Sequence, residues 1–376
     1  MSAPQDRSLA ARQRRALGTV DTFSGARLGI ARRMARLPRT ELAAKVGISP
    51  AAITQLERDL IRPATATAAE LCLALGVPAE FLLHAVAPQP IPASAVHFRS
   101  LRSTPAMSRD QALAFAELSL EVLAAIEDYV DLPGVSLPAL DVPARDTPEG
   151  VARAAGQARR ALGVADGPVP HVVRLLEAHG VLVLRLPDDL TDRRVDAFST
   201  TAGRRPVVLL SPMKDDKARS RFDCAHELGH LLLHHDAEPG SKVIENQAQA
   251  FAAAFLTPAD QVAEDLPRRL DWPALHRAKR RWGVSLKALV YRAHSLKLLN
   301  DAAYRRANVQ LAAWGTPEPG PLGPPESPSL LGTAIAMLAD IGITIDDIAE
   351  HGSLPAERVH DIVDAATNRR PHVEPS

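Results

Sequence analysis

Apolar and polar positions divide the chain into segments of different period. Leu28, Ala31 and Ala35, with Arg32 beside them, recur at helical spacing. Thr40 to Val46 predicts a second helix, ended by Gly47. Ser49-Pro50 opens a third, because Ser caps well and Pro suits the first helical position. Ala68 to Leu75 predicts a fourth, stopped by Gly76 with Pro78 beyond it. Phe115, Leu118, Val122, Ile126 and Val130 mark a long amphipathic helix. Ser108, with Gln111 three residues on, is expected to open it as a capping box. Helices are expected after Pro148 and over 171–180. The runs 181–184, 197–200 and 206–210 then read as short strands, and from Arg219 the helical period returns.

Prolines mark the seams. They crowd residues 88–92, 131–148 and 316–328, where the backbone cannot continue a helix. The expected organisation is multi-domain: a flexible basic arm over 1–25 and an all-α domain over 26–87. An α+β domain over 93–315 follows, with a helical lead-in and a core at about 150–300. A Pro-rich linker over 316–328 leads to a helical C-terminal module over 329–376. That module is acidic and is expected to pack or to bind a partner.

Composition narrows the function classes. The 376 residues carry 44 basic and 44 acidic side chains, a net charge of zero. The balance is a cancellation, because residues 1–62 hold twelve Arg or Lys against five Asp or Glu. A basic leading block suits a phosphate backbone. Aromatic residues make up 4% of the chain, which disfavours single-strand binding by base stacking. Two cysteines make neither a disulfide framework nor a Cys-based zinc site. No apolar run is long enough for a membrane span, and the polar, Arg-rich start lacks a secretory h-region. A cytoplasmic location is the expectation.

His226-Glu227-Leu228-Gly229-His230 carries the most chemistry. On a helix the two imidazoles share a face and can offer two ligands to one ion, with Glu227 beside them to reach a metal-bound water. A catalytic zinc needs a third protein ligand. Glu245, on a helical stretch that ends at Thr257-Pro258, is the best candidate, and small residues on its face allow close packing. His234 and His235 are the rivals, but His234 lies roughly 12 Å along the axis from His226, at 1.5 Å per residue. Candidates for stabilising an oxyanion are His234, His235, His276, Tyr291 and His294.

The stretch from Arg221 to His234 resembles the signature of ImmA/IrrE-type metallopeptidases, and Glu245 to Pro258 is similar to that family's second motif. Asp196 to Ser199, Pro206 to Leu209 and Arg281 to Leu289 also look like parts of this group, so the likeness covers about 150–300. The resemblance implies a zincin-like fold, Zn2+ held by His226, His230 and Glu245, and Glu227 as catalytic acid–base. Gln247 stands where the family more often has an acidic residue.

Residues 39–58 have helix-turn-helix grammar. Leu42, Val46, Ile48, Ile53 and Leu56 fill a small core, Ala43 permits a close crossing, and Gly47 makes the turn. Pro50, Ala51, Thr54 and Gln55 form the exposed set of the recognition helix, with Arg39, Thr40, Ser49 and Arg58 around it. Gln55 suits adenine, and Thr54 or Ala51 a thymine methyl. The block resembles the XRE (Cro/C1-type) group over about 55 residues, including the closing stretch Leu71 to Leu82.

Together the resemblances imply a regulator that binds double-stranded operator DNA and cleaves a repressor-type protein, or itself. A homodimer would suit a palindromic operator. Two other readings fit the same residues: a transcription factor whose zinc domain senses a signal without turnover, and a toxin–antitoxin component acting through protein contacts.

Overall fold

A computed structural model describes residues 22–83, 90–92, 96–98, 105–140, 147–187, 197–211, 216–234 and 241–367. The arm expected over 1–25 falls almost wholly outside them, as do Asp196 and His235.

Among the described residues five helices come first: α1 (Gly25–Met34), α2 (Arg39–Val46), α3 (Pro50–Glu57), α4 (Thr65–Leu75) and α5 (Ala79–Leu82). Ser24 caps α1 and Ser49 caps α3, each accepting a backbone N–H with its side chain. Gly47 closes α2 with φ at 72°, the left-handed backbone that glycine adopts freely. Gly25 allows the start of α1 to lie on the end of α3, because a Cβ there would overlap the Leu56 carbonyl oxygen.

A strand, β1 (Val96–Phe98), precedes the long helix α6 (Ala106–Glu127). Then come α7 (Pro148–Ala161), α8 (Val172–Ala178), β2 (Leu182–Arg185), β3 (Phe198–Thr200) and β4 (Val207–Leu210). The sheet order is β1-β3-β4-β2, with β2 parallel to β4 and the other pairs antiparallel. Both faces are covered, so the strands read as apolar runs rather than alternations. Leu182, Leu184, Phe198, Val207 and Leu209 face one core, and Val183, Val208 and Leu210 the other.

The second core is built by α7 and α8 with α9 (Lys217–Leu233), α10 (Lys242–Leu256), α11 (Ala259–Val262), α12 (Trp272–Trp282), α13 (Leu286–Ser295) and α14 (Asp301–Trp314). The first core joins the leading helices to α6 and to α15 (Leu330–Asp340), α16 (Ile345–His351) and α17 (Ala356–Thr367). The C-terminal helices therefore pack on α6 and β2, opposite the helices that carry the candidate metal ligands.

Three features differ from the expectations. The capping box at Ser108 does not form: α6 starts at Ala106 behind Pro105, with no side-chain cap. Ser108 and Gln111 lie buried inside the helix, and Gln111 Nε2 donates instead to the Met34 carbonyl at 3.0 Å. The stretch 316–328, expected as a linker, is strapped to the α+β domain. Glu318 accepts from Lys279 Nζ at 2.8 Å, and Glu326 Oε2 accepts from the Val172 amide at 2.6 Å. Finally, several arginines of the basic block point inward. Arg27 pairs with Glu121 at 2.8 Å and Arg33 with Glu117 at 2.5 Å, both on α6.

Candidate metal centre and nucleic-acid interface

The centre lies where α9 crosses α10. Asp216 caps α9 by accepting the Arg219 N–H, and the helix runs through the whole His226–His230 stretch. Gly229 sets the closeness of the crossing. A Cβ on it would sit 3.1 Å from Phe251 Cδ1 and 3.3 Å from Ala248 Cα. The small pair of residues thus brings the first turn of α10, with Glu245, up to the imidazoles.

His226 Nε2 and His230 Nε2 are 3.1 Å apart, and the two carboxylate oxygens of Glu245 divide between them, Oε2 at 3.4 Å from His226 and Oε1 at 3.4 Å from His230. Both histidines are buried, while Glu245 is partly open. His226, His230 and Glu245 form the only such cluster of potential metal-ligating groups among the described residues. A tetrahedral ion with ligand bonds of ~2.0–2.1 Å sets ligand-to-ligand separations of about 3.3–3.4 Å. The donor set therefore fits a small tetrahedral cation in both chemistry and size. Burial acts to raise the Glu245 pKa. The hydrogen bonds and charges of His226 and His230 outweigh it and hold the carboxyl well below its ordinary range.

Glu227 is fully buried, next to His226 on α9, and is not one of the three converging donors. Its Oε2 accepts from Ser199 Oγ on β3 at 2.6 Å. Ser199 lies within the quoted strand motif, but nothing in the spacing marked it as the partner of Glu227. His234 is buried at the end of α9 and contacts His230 and Gln247. The other oxyanion candidates among the described residues do not gather there. His294 pairs with Asp301 and stacks on Tyr304, His276 packs near Trp314, and Tyr291 is exposed.

At the other end of the chain, α2 and α3 cross as the turn at Gly47 requires. Arg39, Thr40, Ser49, Pro50, Ala51, Gln55 and Arg58 are exposed and Thr54 is half-buried. The Thr54 hydroxyl donates to the Pro50 carbonyl at 3.1 Å, and Ser49 Oγ is used as the cap. Arg39 is held by Glu57 at 2.7 Å, which also takes Arg32 at 2.5 Å. Arg36, Lys45 and Arg58 are exposed and form no ion pair with any described residue. The charge available to phosphates is thus smaller than the residue count of the block implies.

A helix-turn-helix family model matches residues 28–82, and a model of the IrrE N-terminal-like domain, in peptidase family M78, matches residues 176–294. The second match spans His226, Glu227, His230 and Glu245. No curated protein matches the chain. The chain carries an XRE-type helix-turn-helix domain fused to an IrrE-like domain of a metallopeptidase family. No helix among the described residues is long and apolar enough to cross a membrane.

Proposed function

From a DNA-binding regulator type of domain joined to an IrrE-like domain, we propose a transcriptional regulator that is also a zinc-dependent endopeptidase. Its substrate is a repressor-type protein or the protein itself. The observation that carries this reading is the convergence of His226, His230 and Glu245 beside a buried Glu227. The first three residues would hold the ion. A zinc ion held there would supply a water of lowered pKa and would polarise a peptide carbonyl. Glu227 takes the proton of the attacking water and returns it to the leaving amine. Ser199 Oγ, donating to one carboxylate oxygen, orients Glu227. Buried Leu228, Leu231 and Leu232 hold α9, and with it the two imidazoles, against the core.

The helix-turn-helix domain brings this activity to operator DNA. α3 enters the major groove, with Pro50, Ala51, Thr54 and Gln55 toward the bases. Arg39, Thr40, Ser49 and Arg58 approach the backbone. The protein acts in the cytoplasm, as a homodimer when the operator is palindromic. Glu227→Gln tests the peptidase reading. The variant should keep its zinc and lose cleavage of a co-expressed helix-turn-helix repressor, or of itself, by roughly 10²–10⁴-fold. Cleavage at the wild-type rate would refute the mechanism.

A further inference from the structure

We propose that Gln247 and His234 form a relay that fixes His230 in the tautomer able to bind a metal, making both positioning residues of the centre. The proposal rests on the metal-centre reading above. Three contacts carry it. Gln247 Oε1 lies 2.8 Å from His234 Nε2, His234 Nδ1 lies 3.2 Å from His230 Nδ1, and His230 Nε2 faces His226 Nε2 at 3.1 Å.

The direction of the protons follows from the ends. An amide oxygen only accepts, so the proton of His234 sits on Nε2. A neutral imidazole has a single N–H, which leaves His234 Nδ1 as an acceptor. The proton between the two Nδ1 atoms therefore belongs to His230. Its Nε2, turned toward His226 and Glu245, is then the nitrogen free to ligate a cation. The opposite direction would put a proton on His230 Nε2, where a cation must bind. A partner on the far nitrogen of a ligating histidine sets tautomer and ring orientation in this way.

The fold supplies the relay economically. His234, the residue that caps the C-terminus of α9, follows His230 by four residues and is buried. Gln247 is two residues past Glu245 on α10, so one helix delivers both a ligand and the group that orients another. A glutamine accepts here without adding a charge. His226 Nδ1 is buried with no hydrogen-bond partner among the described residues, so the relay serves one imidazole of the two.

The test uses the full chain, zinc alone and two variants. Gln247→Leu removes the acceptor at a half-buried position, and His234→Phe keeps the ring without its nitrogens. Zinc Kd is measured by chelator competition. Imidazole ¹⁵N spectra of metal-free protein report the tautomers. Both variants should bind zinc about 10- to 100-fold more weakly. Wild type should show the His234 proton on Nε2, and Gln247→Leu a mixture of His234 tautomers. The proposal is overturned if a Gln247→Leu protein that melts like wild type binds zinc within twofold of it. A wild-type spectrum with the His234 proton on Nδ1 also overturns it. If wild type binds no zinc, the metal-centre reading falls, and the spectrum alone still decides the relay.

Discussion

The Arg221 guanidinium and the Glu326 carboxylate form an ion pair in which both side chains are at most 3% exposed. Glu326 also accepts the Val172 amide at the start of α8, and Arg221 donates to the Val169 carbonyl at 2.7 Å. The pair ties the strap 316–328 to α9, five residues before His226. Removing one partner leaves the other charge buried and uncompensated. Glu326→Ala should therefore lower stability by about 3–5 kcal/mol. Urea unfolding measures this, and a change below about 0.5 kcal/mol, the level of a surface substitution, would contradict it.

The closeness of α9 and α10 is the second quantity that can be perturbed. Even a Cβ on Gly229 would crowd Phe251 and Ala248. Gly229→Leu should destabilise by about 1–3 kcal/mol through overpacking. It should also weaken metal binding, because Glu245 must move with α10. Chemical denaturation with a parallel zinc titration checks both, and an unchanged zinc affinity would contradict the geometric role.

Salt dependence separates outward from inward arginines. Arg58→Ala should reduce the slope of log K against log salt by about 0.9, the value of one phosphate contact. Arg33→Ala should leave the slope unchanged, since Arg33 is spent on Glu117. Gln55→Ala should cost about 1–3 kcal/mol on the preferred operator and little on random DNA. Equal slopes for the two arginine variants would contradict this assignment.

Glu177 offers a pH signature of the packing of the C-terminal helices. It accepts the Ser329 and Leu330 amides at 2.9 and 3.0 Å. Burial raises its pKa, while those hydrogen bonds oppose the rise. The folded carboxyl then holds its proton at pH values where the unfolded one has lost it. Its contribution to stability is complete below the unfolded pKa and declines as pH rises through the raised folded pKa. The stability difference between wild type and Glu177→Gln should shrink with rising pH across the acid range. A difference that grows with pH would contradict the assignment.

The parts legible in the sequence are those built from local pattern. Ser49-Pro50, Gly47 and the apolar set around Ile53 specify α2 and α3 within twenty residues. The His226–His230 spacing puts two imidazoles on one face wherever a helix forms. Gly229 could be read as a close-approach site because nothing else explains a glycine inside that helix. The rest depends on contacts between distant residues. Ser108 and Gln111 carry cap chemistry, yet α6 runs through them, because burying Gln111 against Met34 supplies a partner in another domain. β1 is three residues long and has no period to read. Glu326 looked like a linker residue because its partners, Arg221 and Val172, lie more than a hundred positions away. Charge counting overstated the DNA face for the same reason, since Glu117 and Glu121 lie far along the chain from Arg33 and Arg27.

Metal analysis of the purified full chain tests the central claim most directly. Elemental mass spectrometry after dialysis should find about one zinc per wild-type chain, and a small fraction of that in Glu245→Ala and in His226→Ala. Absence of stoichiometric metal after loading with zinc, or retention of the same amount by both variants, would contradict a centre built from His226, His230 and Glu245.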